Sequence, residues 1–390
     1  MQKCYFDNSA TTRLDPRVLK EMLPYFTDSY GNASSIHSIG NEAKTALEES
    51  RERLAALLKT PPGTVIFTSG GTEANNLALK GYAFANRNRG THIITSSVEH
   101  DSVLNPCRWL EQHGFTVTYL PVNNEGFVDV EVIKKHVRKD TILLSLIHAN
   151  NEIGTIEPIQ DIGKLCQDYS IAFHTDACQS FTKVPLDMSK QPIDLLTLNA
   201  HKIYGPKGVG ALVVRDGITV SPWQHGGGHE HGMRSSTENI PGIVGFAAAA
   251  QLSMTEYATE VKRLTNLRDQ ILTTILQSMD EAYLNGPRDN RLCNNVNFGF
   301  SGLEGEAVKL LMELDARGFI VSTGSACTSN QGENKPSHVL TAIGRNQVEA
   351  RGALRITLGR FNTKDEVDRF LAALPEAMQS MTSIFSFSRR

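Results

Sequence analysis

Between residues 65 and 214 the chain alternates short apolar runs, rich in β-branched residues, with stretches whose apolar residues recur at helical spacing. The runs cover 65–68, 92–95, 116–119, 142–146, 171–174, 195–198 and 211–214. Between two of them, Ile162, Leu165, Cys166 and Tyr169 mark one face of a helix. Alternation of this kind predicts a mostly parallel sheet covered on both faces by helices. In such sheets ligands bind beyond the carboxyl ends of the strands. After the Gly-rich stretch His225-Gly226-Gly227-Gly228 the pattern changes. A long helical pattern spans about 243–279, followed by a strand at 294–298, a helix over 306–317 and a strand near 319–321. A strand at 354–358 and a helix over 364–378 close the pattern. The predicted fold class is therefore α/β. Residues 13–257 form a large domain whose mostly parallel sheet is sandwiched by helices, and residues 1–12 with 258–390 form a smaller α+β domain.

Composition narrows the function classes. A chain of 390 residues can bury a large core and suits about two domains. Lys and Arg number 39 against 42 Asp and Glu, a net charge of -3, so no general basic surface exists for nucleic acid. Neither direct nucleic-acid binding nor a membrane partner is expected. No apolar run suffices for a membrane span; the 245–250 run is soon followed by Gln251 and Glu256. The first seven residues lack the apolar core of a secretion signal. Six cysteines without a CxxC pair form neither a disulfide framework nor a zinc pattern, so reduced thiols in the cytoplasm are expected.

Chemistry concentrates at two strand ends. The 171–174 run is followed by Thr175-Asp176-Ala177-Cys178-Gln179, and the 195–198 run by Asn199-Ala200-His201-Lys202. A partly buried Asp176–Lys202 ion pair accounts for both residues in structural terms. Pyridoxal phosphate needs the same two groups, a Lys to form a Schiff base with its aldehyde and an Asp to hold its pyridine nitrogen protonated. Burial favours the neutral amine and so frees the nucleophile. Ser69-Gly70-Gly71-Thr72-Glu73-Ala74, ahead of a helix expected to begin near Ala74, suits either an ordinary capped turn or a phosphate cradle. His100 suits either the start of a helix capped by Asp101, or a ring that stacks on a cofactor and shuttles protons.

Cys327 lies in a small, polar stretch, where a thiol is either incidental or a mobile nucleophile. Arg355 could clamp a carboxylate, though on its own it reads equally as a surface arginine. His225, His229 and His231 lack the spacing and companion ligands of known zinc sites, so no metal is expected.

Together these pieces resemble the cysteine desulfurases of the NifS/IscS type, group I, within the fold-type I pyridoxal phosphate transferases. The segments that carry the resemblance include Phe6-Asp7-Asn8-Ser9-Ala10-Thr11-Thr12, Ser34-Ser35-Ile36-His37 and Thr72-Glu73-Ala74-Asn75-Asn76. Further matches are His148-Ala149-Asn150-Asn151-Glu152, His201-Lys202-Ile203-Tyr204-Gly205-Pro206, Thr237-Glu238-Asn239-Ile240-Pro241-Gly242 and Gly324-Ser325-Ala326-Cys327.

The resemblance implies that Lys202 carries the cofactor, that Asp176 pairs with its pyridine nitrogen and that His100 stacks on the ring. It implies Gln179 and Asn151 near the ring oxygen and substrate, and Thr72 and His201, with Gly71, around the phosphate. Thr237 would come from the other subunit of a homodimer, and Arg355 and Asn32 would bind the carboxylate of L-cysteine. Cys327 would take the substrate sulfur as a persulfide, leaving alanine, and pass it to an iron–sulfur scaffold or another acceptor such as the tRNA-thiolation machinery. The polar loop from Cys327 to Ser337-His338 resembles that of members whose thiol travels to sulfur acceptors. Asn199, Ala33, His231 and Ser236 depart from the usual Ser, Pro, Arg and Gly, and the C-terminus is shorter than in scaffold-docking members. The rival readings are a selenocysteine lyase, an aminotransferase and a sulfur-carrier subunit without turnover.

Overall fold

In a computed structural model, residues 3–323 and 336–387 are described. The strands among them are β1 (Cys4–Tyr5), β2 (Val65–Thr68), β3 (His92–Ser96), β4 (Thr116–Leu120), β5 (Thr141–Ile147) and β6 (Ala172–Asp176). They continue as β7 (Leu195–Asn199), β8 (Gly210–Val214), β9 (Ala282–Leu284), β10 (Asn295–Phe300), β11 (Phe319–Ile320) and β12 (Leu354–Thr357). Every apolar run of the first half becomes a strand of one seven-stranded sheet, ordered β2-β8-β7-β6-β5-β3-β4. Strands β3 to β7 pair in parallel. β8 instead runs antiparallel to both of its neighbours. Residues 200–209, which join β7 to β8, are too few for the helical crossover that a parallel return needs.

Alternate side chains of the sheet enter two apolar layers, as the strand period of two requires. Phe173, Leu196 and Leu198 pack with Leu54 and Leu58 of the Ser38–Leu58 helix and Phe246 of the Ile240–Thr255 helix. On the other face Ile142, Leu195 and Leu212 meet Leu77 and Tyr82, together with Val103 and Leu110 of the Asp101–Glu111 helix. The helix expected near Ala74 starts earlier, at Gly71, and continues through a π-helical turn, Leu77–Gly81. The pattern over 243–279 forms two helices, Ile240–Thr255 and Tyr257–Ser278, separated at Glu256. The reason is that they serve different cores. The first lies against the large sheet, whereas Leu264, Ile271 and Ile275 of the second pack with Val296, Phe298, Ile356 and Phe370.

That second core contains the antiparallel sheet β12-β10-β9. β1 pairs in parallel with β11, drawing the N-terminal segment onto the C-terminal half of the chain. Beyond Phe6 this segment crosses to the large sheet. The Ser9 N–H donates to Thr357 Oγ1 at 2.9 Å, and the Thr12 N–H donates to the His201 carbonyl at 2.9 Å. A few N-terminal residues thereby reach the carboxyl ends of β6 and β7.

A buried ion pair holds the segment that follows the triple glycine. Arg51 Nη1 lies 2.8 Å from Glu230 Oε2, with both side chains 2 % exposed. The same arginine nitrogen donates to the Val65 carbonyl at 2.6 Å, and the Phe67 N–H donates to Glu230 at 2.7 Å. Helix, edge strand and Gly-rich segment are thus tied at one point. Removing a single partner strands the other charge away from water. Glu230→Ala is expected to lower stability by about 3–5 kcal/mol, while Arg51→Met combined with Glu230→Leu recovers most of that loss. Urea unfolding of the three proteins measures the difference.

Candidate active site

Parallel pairing of β6 with β7 sets Asp176 opposite Thr197 and sends both chains out of the sheet at the same end. Asp176 is the last residue of β6, and Lys202 lies three positions past the last residue of β7. Both line one cavity of about 220 Å³. Gly71, Thr72, His100 and Asn151 face it as well, and Gln179 and His201 complete the predicted set that meets there. Gly71 allows this close approach, since a Cβ at its position would lie 2.6 Å from Cys178 Sγ.

The Asp176 carboxylate is fixed from two sides. Oδ1 accepts from the Cys178 N–H at 2.9 Å and Oδ2 from Asn75 Nδ2 at 2.8 Å. Asn75 Nδ2 also donates to Ser102 Oγ at 2.8 Å, and that hydroxyl lies 2.8 Å from His100 Nδ1. His100 Nδ1 accepts from the Ser102 N–H at 3.1 Å, so the neutral ring carries its proton on Nε2. His100 is therefore the helix cap itself, and Asp101 is the first helical residue rather than the cap. Burial pushes the His100 pKa below the usual histidine value. His201 is pushed down to about 4, first by burial and then by the charges of Lys202, Lys207 and Lys183. Both imidazoles are consequently neutral at pH 7.

Lys202 Nζ donates a short hydrogen bond to the Ser9 carbonyl, which also accepts from Gln179 Nε2 at 2.9 Å. One N-terminal carbonyl thus orients two side chains of the site. An adjoining cavity of about 390 Å³ shares Ala10, Gly71, Thr72 and His201 with the first and adds Lys207 and the Ser69–Gly70 turn. Arg234 grips Glu73 of that turn at 2.7 Å.

The remaining predicted residues lie elsewhere. Asn32 is exposed, and its Oδ1 accepts from the Ser34 N–H. Thr237 is exposed beside a separate cavity bordered by Glu230 and Arg234. Arg355 is buried, not a surface arginine. It pairs with Asp7 at 2.8 Å and donates to the carbonyl of the cavity residue Asn151 at 3.0 Å. Cys327 lies outside the described residues. Strand-end reading missed Asn75, Ser102 and Cys178. Of these, Asn75 stands in the Thr72–Asn76 motif and Cys178 in the stretch that follows β6, whereas Ser102 carried no sequence signal.

These groups fit pyridoxal phosphate. The first cavity offers an amine for an aldehyde, a carboxylate for a protonated ring nitrogen and a neutral imidazole for a ring face. The second offers hydroxyl, imidazole and ammonium groups to an anion. Buried Asn199 Oδ1 has no hydrogen-bond partner among the described residues, so polar capacity remains at the cavity wall.

Comparison with known proteins places the chain in a family. The family model for aminotransferase class-V matches residues 4–370. A relative named cysteine desulfurase IscS, from Dictyoglomus turgidum, is 48% identical over 388 residues, covering 100% of this chain and 98% of the relative. Among solved structures, a NifS-like protein superposes with a TM-score of 0.90 at 37% identity, over 97% of this chain and 100% of the other. A second, SspA in complex with cysteine, has a TM-score of 0.81 at 38% identity, over 93% of this chain and 100% of the other. With the family model spanning nearly the whole sequence and relatives aligned end to end, the chain belongs to the class-V aminotransferase family.

Proposed function

We propose that this chain is a pyridoxal phosphate-dependent cysteine desulfurase that converts L-cysteine to L-alanine and takes the sulfur onto Cys327. The observation that carries the reading is the convergence of Lys202 and Asp176, from adjacent parallel strands, on one cavity. The full-length likeness to relatives named cysteine desulfurase supports the choice of substrate. Bound in that cavity, pyridoxal phosphate supplies an electron sink for negative charge at the Cα of an amino acid joined to it.

The protein's own groups do the rest. The Lys202 amine would hold the cofactor and would be the base that moves the Cα proton. Asp176, held by Asn75 and the Cys178 N–H, would face the ring nitrogen and keep it protonated. His100 would lie against the ring and offer its Nε2–H to the substrate. Gln179 and Asn151 orient the ring oxygen and the substrate. Thr72, Gly71 and His201 would hold the phosphate, joined by Thr237 from the second subunit of a homodimer. Arg355 and Asn32 receive the substrate carboxylate. Arg355 is one hydrogen bond from the cavity through the Asn151 carbonyl.

The Cys327 thiolate attacks the substrate sulfur. The C–S bond breaks, an S–S bond forms, and a proton replaces sulfur at Cβ, so one thiol and one cysteine become one persulfide and one alanine. The persulfide sulfur then passes to an acceptor protein, such as an iron–sulfur scaffold.

Other features support the same reading. The separation of apolar packing, with Val18 to Ala250 in one cluster and Cys4, Phe6 and Leu264 to Met381 in another, suits a large domain over 13–257 and a small one over 1–12 and 258–390. Leu23, Phe26, Tyr30 and Ile36 are 54%, 57%, 67% and 97% exposed, which suits burial in a homodimer. Free thiols at Cys4, Cys107, Cys166, Cys178 and Cys293 suit a reducing cytoplasm. No helix among the described residues is long and apolar enough to cross a membrane.

The test is release of alanine and sulfide from L-cysteine with a thiol reductant. Equal molar yields are expected, and Cys327→Ala abolishes both. Activity that survives this substitution would indicate lyase-type elimination, and a colourless, inactive native protein would favour a carrier subunit. Lys202→Ala is expected to lose roughly 100-fold or more of the turnover, read in the same assay. Asn75→Ala removes a charge-assisted donor to Asp176 and is expected to lower kcat/KM about tenfold with the fold intact, measured by steady-state kinetics and circular dichroism.

A further inference from the structure

A second lysine stands behind the first. Lys183 lies in the turn that leaves β6, and its Nζ donates to two backbone carbonyls, that of Gln179 at 3.0 Å and that of Lys202 at 3.3 Å. One residue therefore bridges the segment that leaves β6 to the segment that leaves β7, and both carbonyls belong to residues lining the cavity. Among the described residues no carboxylate forms an ion pair with Lys183. The titratable groups that face it are Lys202 and His201 from the segment after β7, Cys178 from its own segment and Cys293 from the second core. A partly buried ammonium with two carbonyl partners and no counter-ion is an expensive feature for packing alone.

We propose that Lys183 is a positioning residue for Lys202, clamping the backbone that presents it and placing a positive charge behind its amine. The inference rests on the reading of Lys202 as the cofactor lysine. Its physical consequence is one of sign. A like charge disfavours protonation of a neighbouring nitrogen, so charged Lys183 keeps the Lys202 nitrogen in its neutral form to lower pH. Burial lowers the Lys183 pKa to about 8, with Lys202 lowering it further and Cys293 and Cys178 opposing. Lys183 thus carries charge on the acid side of about pH 8, where its effect is exerted, and the two lysines titrate as a coupled pair. His100, Cys178 and His201 also face Lys202. Both histidines are neutral and the thiol protonated in this range; Asp176 lines the same cavity and Lys207 the adjoining one, and a substitution at Lys183 alters neither.

The experiment is a pH titration of the visible absorbance of the Lys202-linked chromophore in purified protein loaded with pyridoxal phosphate. Wild type is compared with Lys183→Met, Lys183→Gln and Lys183→Arg, each checked for cofactor content and melting temperature. The uncharged variants are expected to raise the midpoint by about one pH unit, whereas Lys183→Arg keeps it near the wild-type value. An unmoved midpoint in a folded, cofactor-loaded Met or Gln variant overturns the proposal. So does collapse of the melting curve in both, because Lys183 would then be a residue of fold stability. A wild-type protein that never develops the chromophore defeats the reading of Lys202 itself. A normal wild-type titration with unmoved variants defeats only the role of Lys183.

Discussion

The site depends on the parallel register of two neighbouring strands. β6 and β7 run side by side with Asp176 opposite Thr197, so whatever follows each strand leaves the sheet at one edge and in one direction. An acid at the last position of one strand and an amine three residues past the other therefore reach the same cavity without any long-range adjustment. If the pair were antiparallel, the two ends would be separated by the strand length, about 17 Å for five residues. The antiparallel strand β8 lies on the far side of β7 and leaves this geometry untouched.

Burial then determines how those groups behave. Asp176 is nearly inaccessible, and Asn75 and the Cys178 N–H donate to its two oxygens, which compensates the cost of burying a polar group there. Burial drives the imidazoles of His100 and His201 neutral, and the Nδ1 of each meets a hydroxyl, Ser102 for His100 and Thr11 for His201. Neutral imidazole rings thus line the walls of the cavity that Asp176 and Lys202 share. The N-terminal segment completes the arrangement. Its Ser9 carbonyl receives both Lys202 and Gln179, and it is held in place by β1 pairing with β11 and by Thr357. The second core thereby acts on the site through a backbone carbonyl.

Residues that state their environment in their own chemistry were legible in the sequence. The strands of the large sheet are apolar runs, and Asp176 and Lys202 stand out as charges at the ends of two of them. Less was legible where structure depends on a distant partner. β1 is two residues long and exists only through β11, while β9 is three half-buried residues with no apolar alternation to mark it. The direction of β8 was open to inference from the short 200–209 connection. The break at Glu256 has no Pro or Gly to announce it and follows from two helices serving two cores. Arg355 read as a plain arginine because its partner Asp7 lies 348 positions away. Lys183 and the Ser9 carbonyl carried no signal, since a backbone acceptor has no residue type and a single lysine in a turn has no pattern.

The central claim is that the strand register assigns the cofactor to one particular amine. The most direct measurement is borohydride reduction of the protein loaded with pyridoxal phosphate, followed by mass-spectrometric mapping of the pyridoxyl group. The account predicts one modified peptide, with the label on Lys202. A label on Lys183, or one spread over exposed lysines with Lys202 unmodified, would contradict it.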